Sequence, residues 1–131
     1  MSDRLADGLN LISASVLRAA IEVHRALGPG LLESVYQDCL ALELSRSGVG
    51  VAKEVEVPLS YKGEPLGRSL RLDLLVGGEV IVEVKAVDKL AAIHTAQLLS
   101  YLRLTDRRLG LLLNFNVEVM RSGIKRVVNS F

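Results

Sequence analysis

The apolar positions change period three times along the chain, and each change marks a new kind of element. From Asn10 to Leu27 the repeat is helical, with Leu11, Ala14, Ser15, Arg18, Ile21 and Glu22 tracing one side. Val16, Ala20 and Val23 spread the apolar surface, so this helix is expected to pack on more than one side. Gly28-Pro29-Gly30 stops it, and a second helix is expected from Leu32 to Arg46. Its apolar stripe is read as Leu32, Val35, Cys39 and Leu42, widened by Leu40 and Leu44, and Ser47-Gly48-Val49-Gly50 ends it.

The period then drops to two. Val55, Val57 and Leu59 alternate with Glu54, Glu56 and Pro58, which predicts a strand from Ala52 to Tyr61. Pro58 suits an edge strand, where its missing N–H is not needed by a neighbour. Lys62 to Pro65 reads as a turn, Gly67 to Val76 as a second strand and Val80 to Lys85 as a third. Helix returns over Ala91 to Leu104. Leu109 to Phe115 is apolar up to Asn114 and reads as a strand buried on both faces, with a weaker final strand over Ile124 to Asn129. The order is ααβββαβ with a final strand: an α/β fold whose central mixed sheet is flanked by helices. Residues 1–131 are expected to form one domain.

The turn between the second and third strands fixes which side chains meet. A two-residue turn would throw Val80, Val82 and Val84 to the opposite face from Leu70, Leu72, Leu74 and Val76. A three-residue turn of Gly77-Gly78-Glu79 pairs Val76 with Val80 and sets those aliphatics on one face. Asp73 then lies across from Glu83, with Lys85 on the same face. Two ionised carboxylates in adjacent strand positions repel. A hard divalent cation removes that repulsion, and a neighbouring ammonium can stabilise charge on a phosphoryl oxygen. These are the parts of metal-assisted phosphodiester hydrolysis. The competing explanation is a cross-strand salt bridge to Lys85. Leu75 and Ile81 on the same face favour a pocket wall over an open surface.

Composition narrows the setting. Half of the residues are hydrophobic, rather apolar for 131 residues, so either the sheet is covered on both faces or part of the surface is an interface, as in a homodimer or a complex with a recognition partner. The lone Cys39 excludes an intramolecular disulfide and suits a reducing, cytoplasmic setting. Met1-Ser2-Asp3-Arg4 does not open a leader, and no apolar run reaches the length of a membrane span. Net charge is +1, so phosphate binding must come from local clustering of cations.

Asp73 followed after a hairpin by Glu83-Val84-Lys85 resembles the PD-(D/E)XK nuclease superfamily. Gly30-Leu31-Leu32-Glu33-Ser34-Val35-Tyr36 is similar to the GxxExxY signature that names one of its small branches. The similarity continues through Glu22-Val23-His24, Tyr61-Lys62-Gly63, His94 to Leu102 and Leu113-Asn114-Phe115, and spans about Ile12 to Asn129. Leu72 stands where the name-giving proline would be.

The resemblance implies a restriction-endonuclease-like sheet with Mg²⁺, or Mn²⁺ in its place, held by Asp73, Glu83 and the main-chain carbonyl of Val84. It implies that Lys85 positions or activates the attacking water. It makes Glu33 an acidic residue brought from a helix, and Gln97 and Tyr101 a pair on the later helix, four residues apart on one face. The expected substrate is nucleic acid, DNA ahead of RNA. A non-catalytic nucleic-acid-binding or assembly module that keeps the fold is the alternative, and hydrolysis of another phosphate ester is a third reading. Each residue also has a plainer role: Glu33 complementing a helix dipole, Tyr36 and Tyr101 as core aromatics, His24 and His94 as packed or surface histidines, and Cys39 in the core. Arg103, Arg107, Arg108, Arg121, Lys125 and Arg126 are either phosphate contacts or a scattered solvated surface.

Overall fold

The computed structural model describes residues 3–130, with side chains from residue 6 onward. Met1 and Ser2, the start of the stretch read for a leader, lie outside it. The elements are α1 (Asp3–Leu27), α2 (Glu33–Arg46), β1 (Val51–Tyr61), β2 (Glu64–Val76), β3 (Val80–Lys85), α3 (Ala92–Leu104), β4 (Leu109–Asn114), a short 3-10 turn (Met120–Gly123) and β5 (Ile124–Val128). The five strands lie in chain order, β1-β2-β3-β4-β5. All neighbours are antiparallel except β3 and β4, whose parallel pairing is bridged by α3. This is the expected mixed sheet, and β1, with Pro58, is its edge.

Two apolar layers sandwich the sheet. Leu74, Val76, Val80, Val82, Val84, Leu109, Leu111 and Leu113 face α1 and α2. Leu72, Ile81, Leu112 and Val127 face Leu98 and Leu102 of α3. β4 is buried along its whole length, as a central strand between two helical layers must be. Gly110 is required there: a Cβ would meet the Leu98 side chain at 2.8–2.9 Å.

Several sequence expectations change. α1 starts seven residues before Asn10, and it buries one face only: Leu9, Ser13, Val16, Ala20 and Val23 are inside, while Leu11 and Ile21 are exposed. α2 buries Tyr36, Gln37, Leu40, Ala41 and Leu44; Leu32, Val35 and Leu42 are exposed and Cys39 is half-buried. Tyr36 selects that face. Its ring stacks on Phe115 at 4.5 Å, and its hydroxyl donates to the Gly28 carbonyl and accepts the Leu31 amide. The β1–β2 turn is two residues, Lys62-Gly63, because Tyr61 pairs with Glu64.

The largest correction concerns β2. Leu70 and Leu72 do not share a face with Leu74 and Val76: the first pair packs on the α3 side and the second on the α1–α2 side. β1 turns over at the same level, with Val51 on the α1–α2 side and Val55 and Val57 on the α3 side. The pairs Lys53↔Leu74 and Val55↔Leu72 keep one register across the change. Between them stand Glu54, with a left-handed φ of 53°, and Asp73. The irregularity therefore rotates both strands without inserting a residue in either.

Candidate functional site

The β2–β3 hairpin closes in the expected register, Val76↔Val80, Leu75↔Ile81 and Leu74↔Val82, and its ladder stops there, one step short of Asp73 and Glu83. Side chains take over. The Asp73 amide donates to Glu83 Oε2 at 2.9 Å, and the Val84 amide donates to Asp73 Oδ2 at 2.8 Å. Each carboxylate thus occupies the place of a main-chain acceptor. Extended backbone points the N–H and C=O of one residue the same way, so the Val84 carbonyl faces the same gap. The Lys85 carbonyl faces β4, where it accepts the Phe115 amide at 2.9 Å.

Glu33, in the first turn of α2, lies beside the gap: its Oε1 accepts the Ala86 amide at 3.4 Å, and its charge acts on both Asp73 and Glu83. From the other layer, Tyr101 of α3 packs against the α3-side core and feels the charges of Glu83 and Asp73. Lys85 is half-buried and also acts on both carboxylates. It forms no ion pair within 4 Å among the described residues, so the salt-bridge explanation of the cluster fails. Gln97, one turn before Tyr101, is exposed.

Burial sets the electrostatics. Glu83 is only 4% exposed; desolvation first, and the Asp73 charge second, push its carboxyl up to about 8. Asp73 is raised as well, chiefly by burial, against the opposing Val84 hydrogen bond and the Lys85 charge. Burial, then the two carboxylates, raise the Tyr101 hydroxyl.

Two contributors escaped the sequence reading. Gln37, one helical turn after Glu33, donates to the Asp73 carbonyl at 3.4 Å; its i,i+4 spacing from Glu33 was the available signal. Asn114 is buried at the end of β4, opposite Lys85. Its amide pairs with both main-chain groups of Val87, at 3.0 and 2.9 Å, and accepts the Asn116 amide. It thereby clamps the chain just beyond Lys85. A polar residue ending an otherwise apolar strand was the signal.

Both histidines are engaged by the main chain. His24 Nε2 is 2.6 Å from the Val117 carbonyl, and His94 Nδ1 accepts the Ala91 amide at the start of α3. Arg107 is spent on the Gly78 carbonyl, at the other end of the β2–β3 hairpin, and Arg126 on Ser13 and Asn10 of α1.

No curated protein and no solved structure matches the chain significantly. The family model described as the PD-(D/E)XK nuclease superfamily matches residues 10–127, from α1 through β5. Its members are generally nucleases, which makes a nucleic-acid phosphodiesterase the family-level function. With a match over nearly the whole chain, and a five-stranded mixed sheet between helices, the chain belongs to the PD-(D/E)XK nuclease superfamily.

Proposed function

We propose that this chain is a Mg²⁺-dependent nuclease of the GxxExxY branch, hydrolysing phosphodiester bonds of DNA ahead of RNA as one cytoplasmic domain. The observation that carries the reading is the break in the β2–β3 ladder, filled by the buried Glu83 and half-buried Asp73 carboxylates beside a lysine that makes no ion pair among the described residues. The donor set fits a hard cation. Asp73 and Glu83 each keep one oxygen free of hydrogen bonds among the described residues, and the Val84 carbonyl faces the same gap. Among the described residues no group of three His, Cys, Asp or Glu side chains could hold an ion alone; Asp73, Glu83 and the Val84 carbonyl would hold Mg²⁺ only with water or phosphate oxygens completing its ligands. When bound, the cation neutralises the carboxylate pair and polarises a phosphoryl oxygen.

The chain's own groups supply the rest. Hydrolysis forms a bond from water oxygen to phosphorus and breaks the bond to the leaving oxygen, with charge growing on the phosphoryl oxygens. Lys85 stabilises that charge and orients the water. Glu33 holds the Ala86 amide and adds negative charge beside the water's path. Tyr101 offers its hydroxyl from the opposite layer, and Gln97 extends the same helix face toward the substrate. The non-catalytic alternative lacks a comparable motive, since the acidic pair and the lysine are all present.

Among the described residues no helix is long and apolar enough to cross a membrane. The exposed Leu11, Ile21 and Leu42 fit a homodimer or a recognition partner. Calorimetry with Mg²⁺ and Mn²⁺, followed by incubation with plasmid, single strands and RNA, tests the reading. Metal binding with cleavage supports it; bound metal without cleavage of any nucleic acid turns it toward the non-catalytic module.

A further inference from the structure

Tyr61-Lys62-Gly63 has no part in the site, yet it sits at the end of the longest structure attached to it. β1 and β2 run 11 and 13 residues, whereas β3 pairs only with Leu74–Val76 of β2. Residues 64–72 of β2 therefore pair with β1 alone. The near part of this ribbon packs on the α3-side core through Val55, Val57, Leu70 and Leu72. Beyond it, residues 58–69 are exposed, apart from a half-buried Leu59. At the tip Lys62 and Gly63, with φ of 50° and 81°, make a two-residue turn matched to the strand twist, and the register shifts between Pro58 and Ser60 just before it.

The tip presents an unusual set of groups. Tyr61 is 63% exposed, and the Lys62 ammonium lies over one face of its ring, 5.4 Å from the centroid. Lys62 and Arg68 form no ion pair among the described residues. Asp73 lies nine residue steps along from Glu64, beside the tip, a reach of roughly 30 Å along a strand. That is about nine phosphates of one nucleic-acid strand at about 3.4 Å each.

We propose that this arm is a second nucleic-acid contact: Lys62 and Arg68 bind phosphates, and Tyr61 stacks on an unpaired base of a single-stranded stretch beside the cleavage site. The proposal rests on the nuclease reading for its substrate class. With a net charge of +1 and acidic residues crowded at the site, a polyanion must be held by cations set away from them. An aromatic ring with one free face takes any base and selects unpaired over paired strands. A second copy of the chain fits less well. The tip's apolar groups, Tyr61 and Leu66, fall short of the roughly 1,000 Å² a stable interface needs.

The test is fluorescence anisotropy of the full chain with labelled single-stranded and duplex oligonucleotides in EDTA, across a salt series. Lys62→Ala combined with Arg68→Ala should flatten the single-strand salt slope by about 0.7 per cation lost. Tyr61→Ala should weaken single-strand binding roughly tenfold with the slope unchanged, and leave duplex binding alone. These side chains are exposed, so melting temperatures should not move, which separates lost binding from lost fold. Unchanged single-strand affinity and slope in the variants overturn the arm. So does light scattering in which the same substitutions split a wild-type dimer, because the arm is then a clasp between copies. If the wild type cleaves in Mg²⁺ but binds neither oligonucleotide in EDTA, the arm fails and the nuclease reading stands. If the variants lose binding while the wild type never cleaves, the arm stands and the nuclease reading fails.

Discussion

The main-chain amide of Asp73 donates to the carboxylate of Glu83 at 2.9 Å, in the place where a strand would pair with strand. The hairpin is closed there by side chains, with the Asp73 carboxylate returning the contact to the Val84 amide. The two acids thus have a structural role beside the chemical one proposed for them. They replace lost ladder bonds, and in doing so they lie close together, Glu83 buried and Asp73 half-buried, both partly desolvated, a setting that favours a bound cation.

The double role of Asp73 separates two of its substitutions. Asp73→Ala removes the acceptor for the Val84 amide and should cost about 1–3 kcal/mol of stability, the penalty for an unmet buried donor. Asp73→Asn keeps an oxygen for that amide and should melt near the wild type. Both should lose divalent-metal binding and cleavage together, because both lack the charge. Calorimetry and thermal melts of the pair check this; an Asp73→Asn protein that binds Mg²⁺ as the wild type does would remove Asp73 from the metal site.

Lys85 should behave differently. A protonated ammonium is no metal ligand, and this one makes no ion pair to be broken among the described residues. Lys85→Ala should leave Mg²⁺ binding nearly intact and slow cleavage about 10²–10³-fold, since its proposed work falls on charge that develops in the transition state. Cleavage at the wild-type rate would place the chemistry elsewhere.

Much of this architecture was legible in the residues. The alternation in β1, the register in which aliphatics match around the double-glycine turn and the apolar run of β4 up to Asn114 were readable, and all three form. The α2 face was not legible, because Leu32-Val35-Cys39-Leu42 and Tyr36-Leu40-Leu44 are comparable stripes. The choice is made by contacts distant in sequence, Tyr36 on Phe115 and on the Gly28 carbonyl. The twist at Glu54 and Asp73 was hidden for a related reason. Neither residue is a glycine, and the rotation is stabilised by burying Leu72 on the α3 side and Leu74 on the other. In the site, the Asp73–Glu83 register followed from matching aliphatics around the turn, although Leu72, used in that match, faces the other way. The Asn114 clamp depends on a loop whose path no periodicity reveals.

Asn114→Ala should test how far that clamp matters. It strands the Val87 and Asn116 amides and the Val87 carbonyl, so a loss of about 2–3 kcal/mol is expected in urea unfolding. Asn114→Asp retains the two accepting contacts and should recover part of the stability. Equal stability of Asn114→Ala and wild type would show that water replaces the side chain without penalty.

The Glu83 carboxyl ties stability to pH in a direction opposite to that of a salt-bridged acid. Burial and Asp73 raise it to about 8 in the folded chain, from an ordinary value of 4.5. Folding therefore favours its protonated form. Its stabilising contribution is fully present below about 4.5 and is lost as pH rises through about 8. In EDTA the wild type should melt at a lower temperature at pH 9 than at pH 5.5. Glu83→Gln, which keeps an oxygen for the Asp73 amide and cannot ionise, should show a shallower fall; the raised Asp73 carboxyl leaves some slope in place. If Mg²⁺ binds the ionised pair as proposed, its affinity should climb over the same interval, with proton release that changes with buffer ionisation enthalpy in calorimetry. At pH 8 and above, saturating Mg²⁺ should recover the melting temperature lost in EDTA, and only in protein that retains Glu83. An EDTA profile with the same slope in wild type and Glu83→Gln would mean that Glu83 ionises freely in the folded chain, and would remove the electrostatic motive for a cation in the gap between β2 and β3.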